Sequence, residues 1–149
     1  MLLEDGTRII DSYGEYPLSI DLKITEVCHW GCPWCYEVSK GTGKHGDVDL
    51  ILEKLSGLPK NTEIALGGGN PLCHPYLSKL ISGLIGMGYV VNMTVSSKDI
   101  PDLYKYDLSG ITALGVSLNS EVPSLPDALE KNLVAHCILG VTSLDKYRY

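Results

Sequence analysis

The sequence predicts an α/β protein built on a parallel sheet. Two observations carry that reading. Apolar runs of strand period alternate with runs of helical period along most of the chain. The residues a loop needs to bring its backbone close to a ligand (clustered cysteines, glycines and small hydroxyls) recur just after the strand-like runs, where a parallel sheet places its loops.

The elements follow in order. LSIDLKIT (18–25) alternates Leu18, Ile20, Leu22 and Ile24 and leads straight into Cys28. After a Gly-rich loop, GDVDLILEKLSGLP sets Val48, Ile51, Leu52, Leu55 and Leu58 on one helical face, with Asp47 as N-cap and Gly57 and Pro59 as stop. EIALGGG (63–69) is a short strand that runs into glycines. A second helix is expected from about Pro75, at the first helical position, with Leu77, Leu80, Ile81 and Leu84 inward and an end near Gly88.

YVVNMTVSS (89–97) reads as a buried strand, DIPDLYKYD as a short helix or turn, and ITALGVSLNS (111–120) as another strand. Ser124 with Asp127 resembles a capping box for a brief helix, and LVAHCILGV (133–141) is a fifth strand. The tail TSLDKYRY reads as a turn or helix start. Strands alternating with helices imply right-handed βαβ units. A closed eightfold barrel takes ~250 residues, or roughly 31 per unit, so about four and a half units fit here. The expected architecture is therefore a partial, open (βα) barrel of TIM-like form with a parallel sheet of about five strands. Residues 18–149 form its core domain, and 1–17 an N-terminal extension.

Composition narrows the function classes. At 149 residues the chain is most simply one domain, and 44% hydrophobic with 20% charged residues is ordinary for a globular protein. A net charge of −6 gives no general nucleic-acid footprint. MLLEDGTRII has no apolar core of a secretory signal, and LISGLIGMGYVV is too short to span a bilayer. The expectation is a cytoplasmic protein with no membrane association, whose thiols stay reduced. Five cysteines, three of them clustered, then point to metal or catalysis rather than to disulfides.

The unusual residues fall at four strand ends: CHWGCPWC (28–35), GGGNP (67–71), SSKD (96–99) and SLNS (117–120). A short loop carrying Cys28, Cys32 and Cys35 suits a cubane held by three thiolates, with one iron left open to another ligand. The alternatives are zinc completed by His29, His45 or His74, or plain buried thiols. Cys73 and Cys137 read first as core thiols, with a place near the site as the second reading for Cys73 because it adjoins the glycine motif, and His136 reads as a sheet histidine. The loop SKGTGKHG (39–46) is read first as a solvated connection and second as an anion-recognising segment through Lys40, Lys44 and His45. No phosphate-loop pattern occurs, and Ser96 and Ser117 lack the His and acid of a hydrolase triad.

The C-x₃-C-x₂-C run, with an aromatic before its third cysteine, resembles the signature of the radical S-adenosylmethionine (radical SAM) superfamily. LGGGNPLCHP resembles that superfamily's second motif, the Gly-Gly-Glu segment that ends strand two, with Asn70 in the acidic position. The resemblance implies a [4Fe–4S] cluster on Cys28, Cys32 and Cys35, whose open iron chelates S-adenosylmethionine (SAM). Around SAM it implies the glycine segment Gly67, Gly68, Gly69 and Asn70 near the amino group, Ser117 and Asn119 near the ribose, and Ser96 as a further cofactor-binding residue. Trp34, Tyr36 and Ile138 are implied near the adenine.

The implied reaction is reductive cleavage of SAM to a 5′-deoxyadenosyl radical that abstracts a substrate hydrogen. The implied electron source is an external one-electron donor such as flavodoxin or ferredoxin. Peptide or protein modification and glycyl-radical activation stand ahead of nucleoside or RNA modification as the substrate class. The family core has six βα units, so the sixth is expected either to be missing or to belong to a longer chain of which this sequence is a fragment. A non-enzymatic iron–sulfur or zinc-binding interaction module is the second expectation.

Overall fold

The structure, a computed structural model, describes residues 15–32, 35, 37–118 and 136–140. Four parallel strands, β1 (Ser19–Thr25), β2 (Glu63–Gly68), β3 (Val90–Ser96) and β4 (Ala113–Leu118), lie side by side in sequence order. A further strand, β5 (His136–Gly140), runs parallel to β4 with Leu114 opposite His136 and Leu118 opposite Gly140. The connections between strands carry helices α1 (Val48–Leu55) and α2 (Leu77–Gly86) and 3₁₀ segments Pro71–Cys73 and Ser97–Lys105. The predicted α/β class and the order of its first four strands are thus observed.

Each of the first four strands offers one face to the helices. Ile24 of β1, Ile64 and Leu66 of β2, Val91, Met93 and Val95 of β3, and Leu114 and Val116 of β4 are buried in one cluster. Against them pack Val48 of α1 and Leu77, Leu80, Ile81 and Leu84 of α2, with Ile100 and Leu103 from the second 3₁₀ segment. The helical periodicity of α2 therefore predicted its buried face residue for residue. Register places Asp21, Ala65, Asn92 and Ala113 in one row on the opposite face, and Ser96 beside Ser117. That face is small and polar, as the lumen of an open barrel would be.

Local chemistry sets the helix ends. Asp47 Oδ1 accepts the N–H groups of Asp49 and Leu50 at 2.9 and 3.1 Å, the N-cap read from the sequence. At the other end of α1 the Tyr89 hydroxyl donates to the Leu55 carbonyl at 2.5 Å, satisfying an orphan acceptor. Helix α2 begins at Leu77 rather than at Pro75, which corrects the predicted start. The reason lies one turn upstream, where the Tyr76 N–H is taken by His74 Nδ1 at 3.1 Å, and residues 74–76 form a turn. The proline at a helical N-terminus is instead Pro71, which opens the 3₁₀ segment behind Asn70. Gly88, with φ +86°, supplies the left-handed residue just past α2. The helix predicted around residues 124–132 and the turn at 142–149 lie outside the described residues.

Candidate functional site

The loops after β1, β2 and β3 meet at the carboxyl edge of the sheet, held by backbone hydrogen bonds that outlast the strands. Gly69 N–H donates to the Thr25 carbonyl at 2.7 Å, and Asn70 N–H to the Val27 carbonyl at 2.8 Å. These bonds zip the glycine segment to the start of the cysteine loop. The close approach dictates the glycines. Gly68 has φ +122°, and a Cβ there would run into the Thr25 carbonyl oxygen. A Cβ on Gly69 would stand 2.7 Å from the Val27 carbonyl carbon and 2.9 Å from that of Glu26. Gly67 differs, since a Cβ there meets nothing within 4 Å and the position borders open space.

Cys28, Cys32 and Cys35 are half-buried free thiols on the first loop. Cys28 N–H donates to the Lys40 carbonyl at 2.7 Å, so the returning arm of the loop fixes the first cysteine. Cys35 N–H donates to the Cys32 carbonyl at 3.0 Å, closing a tight turn between the second and third. Gly31, at φ +56°, provides the left-handed residue just before Cys32. Among the described residues, no three His, Cys, Asp or Glu side chains are gathered closely enough to hold a metal as they stand. The donor chemistry fits a metal all the same: three reduced, accessible thiols on one short loop beside an open glycine. Binding free energy supplies the final ordering of such ligand loops.

Cys73, expected in the core, is half-buried instead and neighbours this loop. Burial pushes its thiol above the usual range, the charges of Cys28 and Asp99 add to that, and the His29 N–H acts the other way. His45 and His74, considered as zinc ligands, are engaged elsewhere. His45 Nδ1 lies 2.9 Å from the Thr25 hydroxyl. His74 is buried, accepts the Tyr76 N–H at Nδ1 and donates from Nε2 to the Gly46 carbonyl at 2.9 Å. The ring centroids of the two histidines are 5.3 Å apart. Together with the bridges Thr25–His45 and Val27–Lys40, this makes residues 39–46 a brace that folds back on β1. Two clefts of about 230 and 200 Å³ open along the same edge, lined among others by Lys23, Glu26, Lys44 and Ser39, and no described cysteine lines either.

Asn70 is 7% exposed, and its side chain is committed at both ends. Its Oδ1 accepts the Leu72 N–H at 3.0 Å, capping the 3₁₀ segment. Its Nδ2 donates to both carboxylate oxygens of Asp99, at 3.0 and 3.1 Å. Asp99, 8% exposed, also accepts the indole N–H of Trp30 at 2.8 Å and the Ser96 N–H at 3.2 Å. The Lys98 ammonium stands 5.4 Å from the centroid of the Trp30 ring.

Asp99 and Trp30 are the residues that sequence reasoning missed. The available signal was Ser96-Ser-Lys-Asp99, a capping-box spacing that the structure realises in full. Of the other predicted site residues, Ser96 and Ser117 are cross-strand partners at the ends of β3 and β4. Ile138 is in register with Val116. Trp34, Tyr36 and Asn119 lie outside the described residues.

Residues 22–142 match the model of the radical SAM superfamily. The chain is also similar to a GTP 3′,8-cyclase from Actinobacillus succinogenes, with 26% identity over 129 residues, covering 80% of this chain and 38% of that protein. It thus spans well under half the length of the curated relative it matches. Members of the superfamily use a [4Fe–4S] cluster and SAM. The matched span reaches from β1 through β5 and includes the cysteine loop, the glycine segment and the strand ends that bring them together, and the chain belongs to the radical SAM superfamily.

Proposed function

We propose that residues 18–149 are the core domain of a radical SAM enzyme, with Cys28, Cys32 and Cys35 as cluster ligands. The observation that carries this reading is the pair of backbone bonds, Gly69 to Thr25 and Asn70 to Val27, that set the glycine segment against the cysteine loop. A [4Fe–4S] cluster bound there with SAM supplies one-electron cleavage to a 5′-deoxyadenosyl radical that takes a hydrogen from substrate. The chain's own part is to hold and shield. Three thiolates leave one iron without a protein ligand. Gly67 keeps the approach to the site clear, and the backbone of residues 67–69 offers polar groups to the amino end of SAM.

Ser96 and Ser117 stand at the ends of β3 and β4 for the ribose, a role that Asn119 is assigned by the family resemblance alone. Trp34, Tyr36 and the Ile138 stretch serve the adenine. An external one-electron donor such as flavodoxin or ferredoxin reduces the cluster across the exposed side of the cysteine loop, in a reducing, cytoplasmic setting.

The substrate in this reading is a peptide or protein. Its support is the row of small, uncharged residues Ala65, Asn92 and Ala113 on the face away from the helices. A nucleotide substrate is the second reading, favoured by the similarity to a GTP 3′,8-cyclase. Anaerobic reconstitution with iron and sulfide, followed by SAM and dithionite, tests the activity. Production of 5′-deoxyadenosine supports the enzyme, and its stimulation by GTP moves the substrate to the second reading. A colourless, zinc-loaded protein that makes none overturns the enzyme in favour of a binding module.

A further inference from the structure

Asp99 is the hub of this end of the molecule. Its carboxylate receives donors from the ends of three strands: Trp30 on the loop after β1, Asn70 just after β2 and the backbone of Ser96, the last residue of β3. The two side-chain donors are distant in sequence, Asn70 by 29 positions and Trp30 by 69, whereas the Ser96 N–H is the local contact of the capping box. A carboxylate this deeply buried is costly unless its lone pairs are filled, and here both oxygens are shared among donors. Trp30 sits midway between Cys28 and Cys32, so anchoring its indole anchors the turn that aims those two thiols. Asn70 is oriented by the same carboxylate, because only its amide nitrogen can face an acceptor.

We propose that Asp99 is a positioning residue that carries the fixed negative charge of this site and locks the cysteine loop to the glycine segment. The inference rests on the reading that Cys28, Cys32 and Cys35 hold a cluster that binds SAM. The charge has two consequences. A fixed anion beside an iron–sulfur cluster lowers its reduction potential. It also favours a cationic group, such as an ammonium, at the glycine segment. Asn70 is then the contact through which a charge seated on another strand end is presented, and the carboxylate has moved by one hydrogen bond rather than vanished.

The test compares the reconstituted full chain with Asp99→Asn and with the exchanged pair Asn70→Asp/Asp99→Asn. The exchange keeps one amide, one carboxylate and the same net charge. The readouts are the cluster midpoint potential and the SAM-induced change in the EPR signal of the reduced cluster, titrated for affinity. Asp99→Asn is expected to raise the potential and to weaken SAM binding about tenfold or more, as loss of a charge-assisted contact does. The exchanged pair is expected to recover both in large part.

Wild-type potential and SAM affinity in Asp99→Asn overturn the proposal, and so does an exchanged pair that recovers neither. If Asp99→Asn does not fold, Trp30→Phe removes the indole donor alone. An altered cluster spectrum in that variant supports the proposal, and a wild-type spectrum overturns it. Failure of the parent reading is separate, because it appears as a wild-type chain that holds no cluster.

Discussion

Gly69 lies so close to Val27 that a methyl group on it would overlap the Val27 carbonyl. The contact is backbone against backbone, so no side chain can turn aside to relieve it. The same contact forms the junction between the cysteine loop and the glycine segment, since the neighbouring Asn70 N–H donates to that carbonyl.

Gly69→Ala is therefore expected to lower unfolding free energy by about 2–4 kcal/mol, in the range of severe overpacking. Gly67→Ala is the informative control, because its methyl would enter open space. Thermal melts should show a clear drop for the first and little change for the second. Equal losses at both positions would contradict the close-approach account.

His74 is nearly inaccessible and satisfies two backbone groups, the Tyr76 N–H and the Gly46 carbonyl. His74→Ala leaves both without a partner and should cost about 1–3 kcal/mol in urea unfolding. His45 is exposed and holds only the Thr25 hydroxyl among the described hydrogen bonds, so His45→Ala should cost about 1 kcal/mol or less. The ordering of the two variants is the prediction, and a larger loss at His45 would contradict it.

Burial pushes the phenol of Tyr106 above its ordinary range, and the charges of Cys73, Asp99 and Asp102 add to that against the opposing effect of Lys105. The folded chain thus holds this proton more tightly than the unfolded chain does. The associated stability is complete below the unfolded value of about 10 and is lost as pH rises through the folded one. Phenolate absorbance of the wild type minus Tyr106→Phe should show a tyrosine ionising later than ordinary. Ionisation at the ordinary value would contradict this.

The parts of the fold written in local pattern were readable in advance. Leu77, Leu80, Ile81 and Leu84 point to the core because helical spacing alone decides which side they share. Asp47 caps α1 because an acidic side chain just before a helix has few other uses. The cysteine and glycine runs were visible for the same reason, as chemistry concentrated in a few adjacent residues.

The link between Asn70 and Asp99 was not readable, because it joins the ends of two strands and depends on the register that sets those ends side by side. Asn70 accordingly looked like the loss of a charge. The start of α2 was misplaced because a tertiary contact, His74 on the Tyr76 amide, outweighed the preference of proline for a first turn. Residue type makes the core the first reading for Cys73 and its place beside the glycine motif makes the site the second, and the 3₁₀ segment after Asn70 carries it to the cysteine loop.

That neighbour gives the sharpest test of the central claim, that three thiolates hold the cluster and leave one iron open. Iron content and the EPR spectrum should be measured after anaerobic reconstitution of Cys28→Ser, Cys32→Ser, Cys35→Ser and Cys73→Ser. The account predicts that each of the first three loses the four-iron cluster and that Cys73→Ser retains it with its SAM-induced spectral change. Loss of the cluster in Cys73→Ser, or an intact cluster in any of the other three, would contradict it.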